Sequence, residues 1–173
     1  MTNPFALFDL PVAFEINQTV LSERYLALQK SLHPDNFAYS LPQEQRLAMQ
    51  KSAEINDALQ ILKDPIARAD SIIMMHTGEQ HSIEEKSNRD LVFLMQQMEW
   101  REQLEQIEKN RDADELKTFS RQIEQNQHDI LIGLSDALST QDWQQAQINN
   151  DKLRFIRKLS NEIERIEEQL IEF

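Results

Sequence analysis

Apolar residues recur at helical spacing along almost the whole chain, and no stretch alternates in the manner of a strand. Between residues 19 and 32, Leu21, Tyr25, Leu28 and Leu32 follow one another at steps of four, three and four, which predicts an amphipathic helix. Residues 43–62 predict a second, with Leu47, Ile55, Leu59 and Leu62 on one face. A third pattern covers 66–76 and is interrupted by Thr77-Gly78-Glu79-Gln80-His81-Ser82, where Gly78 suits the left-handed conformation that ends helices. Three longer stretches follow, at 88–110, 112–138 and 141–172. The middle one carries Leu116, Phe119, Ile123, Ile130, Leu134 and Leu138; the last carries Ile148, Ile156, Leu159, Ile163, Ile166 and Leu170 close to one stripe. Asp112 and Thr140 are the expected N-caps, with Glu115 three residues after Asp112 approximating a capping box.

The expected fold is therefore all-α, with no internal repeat. A helical-hairpin domain at 1–77 is followed by a linker at 78–87 and a domain at 88–173. Its three helices, joined by short connections, make an antiparallel bundle.

The stretch at 88–110 departs from the ordinary surface helix. At about 100° per residue, Phe93, Trp100, Leu104 and Ile107 share one face, which supplies the bundle core. Leu91, Leu94, Met95 and Met98 fall on the opposite side together with Glu102. A surface helix has a polar back; this one has an apolar back, so something must cover it. Periodicity leaves three covers open: the N-terminal domain, a second copy of the chain in a homodimer, or a different protein for which two methionines supply an adaptable surface.

Between the first two predicted helices lie Pro34, Asn36, Ser40 and Pro42, all turn or breaker types. Pro34 cannot continue the first helix and pushes His33 out of the α region. His33-Pro34-Asp35 is thus presented at the tip of a hairpin. Three residues alone suit an ordinary loop with a local Asx hydrogen bond as well as a recognition element.

Composition excludes several classes. The two glycines, Gly78 and Gly133, leave no phosphate-binding loop or dinucleotide fingerprint. There is no cysteine, hence no disulfide frame and no thiolate to hold a cluster. His33, His76, His81 and His128 form no familiar ligand spacing, so neither a metal nor another cofactor is expected. The net charge is −12, of which −3 falls up to Gly78 (6 basic, 9 acidic) and −9 beyond it (12 basic, 21 acidic). Such a chain repels nucleic acid. The bases Lys152, Arg154, Arg157 and Lys158 are flanked by Asp151 and Glu162 and read as a solvated face. With no long apolar run and no signal-peptide core, a soluble, unexported protein away from the membrane is expected. His33 with Asp35 is the single acid–base pair near the loop and lacks a pocket, nucleophile or oxyanion site, so no enzyme is expected.

The loop's flanks carry more information. Arg24 and Lys30 precede it, and the second helix closes on Ile55-Asn56-Asp57-Ala58-Leu59-Gln60-Ile61-Leu62-Lys63-Asp64-Pro65. In this setting the N-terminal part resembles a J-domain, the co-chaperone module that engages Hsp70-type ATPases. Four segments extend the resemblance across nearly the whole chain: Phe5-Ala6-Leu7-Phe8-Asp9-Leu10-Pro11, then 64–73, then 93–102, then Lys152-Leu153-Arg154-Phe155 with Lys158-Leu159. These are similar to the HscB family, the J-type co-chaperones of iron–sulfur cluster assembly.

The resemblance implies two grips. His33, Pro34 and Asp35, with Arg24 and Lys30, would engage an HscA-type Hsp70. Leu94, Met95, Met98, Glu99, Glu102 and Phe155 would bind an IscU-type cluster scaffold protein, Phe155 standing at the edge of its helix's stripe. A bacterial cytoplasmic monomer is the expected form. Its chief rival is a non-catalytic all-helical adaptor or dimeric scaffold with an incidental loop. Asn36 stands where J-domains commonly carry a base, Leu32 where an aromatic is common, Asp9 where glycine is frequent, and Gln106 where an acid is frequent.

Overall fold

A computed structural model describes residues 3–78 and 90–171, and all regular structure among them is helical. The chain forms two compact units, Met1–Met75 and His76–Phe173. Apart from Gly78, the expected linker at 78–87 lies outside the described residues, as do His81 and the expected helix start at 88–89.

The first unit contains α1 (Pro4–Leu7), α2 (Gln18–Ser31), a 3-10 turn (Pro34–Phe37), α3 (Pro42–Lys63) and all but the last two residues of α4 (Pro65–Thr77). Asparagines start the first two helices: the Asn3 side chain accepts from the Phe5 amide, and that of Asn17 from Thr19 and Val20. Prolines at the first helical position start the turn, α3 and α4. Pro65 also holds Asp64 extended (φ −97°, ψ 117°), ending α3, while the Asp64 carboxylate accepts from the Ile66 amide at 3.1 Å and so opens α4. α3 packs against α1, α2 and the turn. Phe5, Phe8, Leu21, Ile55, Leu62 and Ile73 are fully buried, each contributing about 1.5–3 kcal/mol of transfer free energy.

One expected core position fails. Leu47 is 64% exposed, and Ala48 is buried in its place. At helical pitch Ala48 lies about 20° from Ile55 around α3 and Leu47 about 80° from it, at the edge of the stripe. Gly78 follows α4 with φ +70°, the left-handed ending that its sequence position predicts.

The second unit is a bundle of α5 (Leu91–Asn110), α6 (Ala113–Ser139) and α7 (Trp143–Ile171). Lys152 Nζ lies 3.5 Å from Asp90 Oδ2 and Arg165 Nη1 lies 3.3 Å from Glu108 Oε2. Both ends of α5 thus meet α7 in the same order, so these helices run parallel and α6 returns antiparallel to both. Trp100, Leu104, Ile107, Leu116, Phe119, Ile123, Ile156, Leu159, Ile163 and Ile166 form the core, with Phe93, Ile130, Phe155 and Leu170 packed at its margin. A Cβ at Gly133 would stand 3.3 Å from Asn149 Nδ2, which accounts for glycine where α6 passes α7.

The two bundle turns use one device twice. Arg111 (φ 52°) and Gln141 (φ 61°) take the left-handed conformation, and the following aspartate amide reaches back five residues, Asp112 to Ile107 and Asp142 to Ala137. Each aspartate then caps the next helix, Asp112 accepting from the Glu115 amide at 3.0 Å and Asp142 from that of Gln145 at 3.2 Å. Asp112 caps as expected, but Thr140, the other expected N-cap, does not cap α7. Thr140 terminates α6, its hydroxyl donating back to the Asp136 carbonyl at 2.9 Å, because the left-handed Gln141 must intervene before α7 can begin.

Candidate functional site

His33 caps the 3-10 turn from an extended conformation (φ −58°, ψ 137°), as a residue before proline must. Its Nδ1 accepts from the Asp35 amide at 3.2 Å. Asp35 Oδ2 stands 3.5 Å from the same nitrogen. A nitrogen that accepts from an amide bears no proton, so the amide bond and a charged His33–Asp35 pair exclude each other. In the amide-bonded form the ring hydrogen sits on Nε2. The side chains of His33 and Asp35 are 59% and 91% exposed, so the tripeptide is open to a visitor.

The exposed tip is nevertheless fixed. Asn36 Nδ2 donates to the Lys30 carbonyl at 2.8 Å and to that of Ser31 at 3.3 Å, closing the end of α2. Gln45 Nε2 donates to the Phe37 carbonyl at 2.9 Å from the first turns of α3. Behind the tip, Asn56 Oδ1 accepts from both Tyr25 Oη and Gln29 Nε2 at 2.8 Å, and Ser52 Oγ donates to Gln29 Oε1 at 3.1 Å. A polar ladder therefore ties α2 to α3 alongside the apolar seam.

Of the two bases on α2, Lys30 is exposed in the last turn. Arg24 is turned to an internal task as well: its Nη1 donates to the Phe8 carbonyl at 2.9 Å and to the Asp9 carbonyl at 2.6 Å, just past α1. Arg68, on α4, is the buried cation of this unit. Its Nη1 donates to the Leu62 carbonyl at 2.6 Å and its guanidinium lies 4.7 Å from the centre of the Phe14 ring. Burial pushes the Arg68 guanidinium below its ordinary range, opposed by the charges of Glu15 and Asp64.

On α5, Met95 and Met98 are each 63% exposed; Leu91, Glu99 and Glu102 are also exposed, and Leu94 is half-buried. The apolar back of this helix is thus uncovered within its own bundle. Further along, Glu99, Glu102 and Glu105 line a shallow groove with Gln103 and Gln106, so the stripe passes from apolar to acidic. Phe155 comes from α7. It stacks on Trp100 (centroids 6.2 Å apart, 12° between planes) and meets Phe93 edge-on at 5.8 Å. The Arg101 guanidinium lies 5.4 Å from the Phe155 ring centre. Arg101 follows Leu94 by two turns, so Phe155 borders the edge of the stripe that Leu94 occupies.

Sequence reasoning missed Asn36, Gln45, Asn56 and Arg101 as parts of these surfaces, and Arg68 as a buried support of the first unit. An asparagine just beyond a helix end signals a possible cap. Nothing local marks the other four, whose partners are distant in sequence or belong to another helix. Among the described residues, no group of three or more His, Asp and Glu side chains is arranged to hold a metal ion, and no helix is long and apolar enough to cross a membrane.

Residues 89–164 match a family model described as the HscB C-terminal oligomerisation domain. Over 173 residues the chain is 66% identical to the co-chaperone protein HscB homolog of Mannheimia succiniciproducens, covering all of both chains. It is 66% identical over 171 residues to the homolog from Pasteurella multocida, covering 99% of each. The chaperone HscB from Vibrio cholerae has a similar structure, with a TM-score of 0.89 at 41% identity over 97% of this chain and 99% of that one.

Proposed function

The chain belongs to the HscB family of co-chaperones, and from that premise we propose that it stimulates the ATPase of an HscA-type Hsp70 and delivers an IscU-type iron–sulfur scaffold protein to it. Neither grip needs a bond made or broken on this chain. The J-type unit docks through His33, Pro34 and Asp35, assisted by Lys30 and Arg24, while the α5 face with Phe155 holds the scaffold. This reading puts the protein in the bacterial cytoplasm, aiding cluster assembly and transfer.

The observation that carries the reading is the His33-Pro34-Asp35 tip, exposed to solvent yet fixed by Asn36 and Gln45. An incidental loop has no need of both properties. A rigid tip pays little ordering entropy on docking, so its few contacts count in full. Phosphate release by the matched Hsp70 is the direct test: the wild-type chain accelerates it, and His33→Gln removes the acceleration while leaving scaffold affinity and melting temperature unchanged. Loss of both activities together would refute the division between the two units.

The description of the matched family model as an oligomerisation domain favours a second reading, in which the same stripe of Leu91, Met95 and Met98 closes a homodimer. Mass in solution at sub-micromolar protein separates the two: a monomer leaves the stripe free for the scaffold, and a dimer dispersed by Met98→Asp assigns it to self-association.

A further inference from the structure

We propose that Met95 and Met98 form a reversible oxidation site that turns off the α5 face, an inference resting on that face being the scaffold grip. The chain has six methionines and no cysteine, so thioethers are its only sulfur groups. All five methionines among the described residues (Met49, Met74, Met75, Met95, Met98) are exposed, and the last two stand one helical turn apart on the apolar stripe. Peroxide is small and uncharged, so the neighbouring Glu99 and Glu102 do not repel it.

The step is an oxygen-atom transfer from a peroxide. The O–O bond breaks, sulfur gains the oxygen and is oxidised by two electrons, and water leaves; a sulfoxide reductase with thiol reductant reverses it. The product is a strong acceptor where a partner would seat an apolar group. At the i±3 and i±4 positions around these residues stand Leu91, Val92, Leu94, Glu99, Glu102 and Arg101. Arg101 is the one side-chain donor of that set, and it lies over the Phe155 ring. A sulfoxide buried against the scaffold therefore either draws Arg101 away from the Phe155 ring or bears the desolvation cost of an unpaired polar group. Trp100, the other oxidisable side chain nearby, is only 3% exposed.

The test treats the full chain with hydrogen peroxide until peptide mass spectrometry finds one added oxygen on each of Met95 and Met98. Scaffold affinity is then measured by calorimetry, each protein being compared with its own untreated sample. Oxidation weakens wild-type binding about tenfold, or about 1.4 kcal/mol, and sulfoxide reductases restore it. A Met49→Leu, Met74→Leu, Met75→Leu variant keeps the full loss, whereas Met95→Leu with Met98→Leu shows no change on treatment. Circular-dichroism melting and Hsp70 stimulation without scaffold stay constant throughout. Undiminished binding by doubly oxidised wild type, or an equal loss in the Met95→Leu/Met98→Leu protein, overturns the proposal. Untreated Met98→Asp distinguishes the deeper failure: if it binds the scaffold as tightly as wild type, the face is not the grip and both readings fall. If it binds weakly while peroxide has no effect, the oxidation site alone falls.

Discussion

At the scale of single residues, the first unit gives its charged and polar side chains unequal burdens. The Arg24 guanidinium closes the carbonyls of Phe8 and Asp9, and the proposed reading asks it to serve Hsp70 docking as well. Lys30 sits exposed at the end of α2, where its positive charge suits the helix C-terminus. Arg24→Ala should therefore lower both stability, by about 1 kcal/mol, and Hsp70 stimulation. Lys30→Ala should lower stimulation at a smaller cost in stability, about 0.3 kcal/mol, the exposed charge being screened at the helix end. Equal melting temperatures for the two variants would show that the Arg24 hydrogen bonds add nothing to the fold. Asp9 explains itself in the same region. Its φ of 52° is a left-handed value that glycine accepts freely and aspartate tolerates, which accounts physically for the glycine that the family resemblance expects there.

At the scale of helices, burial sets the cost of each truncation. Leu47→Ala should change stability by less than about 0.5 kcal/mol, since Leu47 is largely exposed, while Ile55→Ala on the same helix should cost about 2–4 kcal/mol. Urea unfolding of the two proteins measures the contrast, and similar midpoints would mean that α3 packs in a different rotation. The helices themselves were readable because the apolar period is strong and asparagine, aspartate, proline and glycine mark their ends. Leu47 was misassigned because a stripe read by residue type gives a leucine precedence over the alanine beside it. Thr140 was misassigned because a left-handed residue inserts between two helices without any sequence mark of its own: Arg111 and Gln141 are neither glycine nor asparagine. The tip could be placed from Pro34, but the clamps on it could not, since Gln45 finds Phe37 and Asn56 finds Tyr25 only after the hairpin has closed. On α5 the exposed back was legible from spacing, whereas the anchoring of Phe155 on Trp100 needed the third helix in place. Phe155→Ala should accordingly weaken scaffold binding and also lower stability by about 1–3 kcal/mol, unlike a change at Met95.

At the scale of the whole molecule, the proposed work depends on both grips belonging to one chain. Both units are net acidic, −3 and −9, and under the proposed reading neither grip need bind tightly by itself. A scaffold protein held on α5 arrives at the Hsp70 at the high effective concentration that a tether supplies, and two modest affinities then act as one. The consequence is a failure of complementation. His33→Gln keeps the scaffold grip and loses the trigger; Met98→Asp keeps the trigger and loses the scaffold grip. Were each function exercised on free partners, an equal mixture of the two variants would restore scaffold-dependent ATP hydrolysis. Tethering requires instead that the mixture do no better than the two proteins measured separately, at any ratio and at concentrations where wild type is fully active. Multiple-turnover phosphate release with scaffold and Hsp70 held fixed makes the measurement. Restoration by the mixture would mean that the chain serves two partners in turn and does not bring them together.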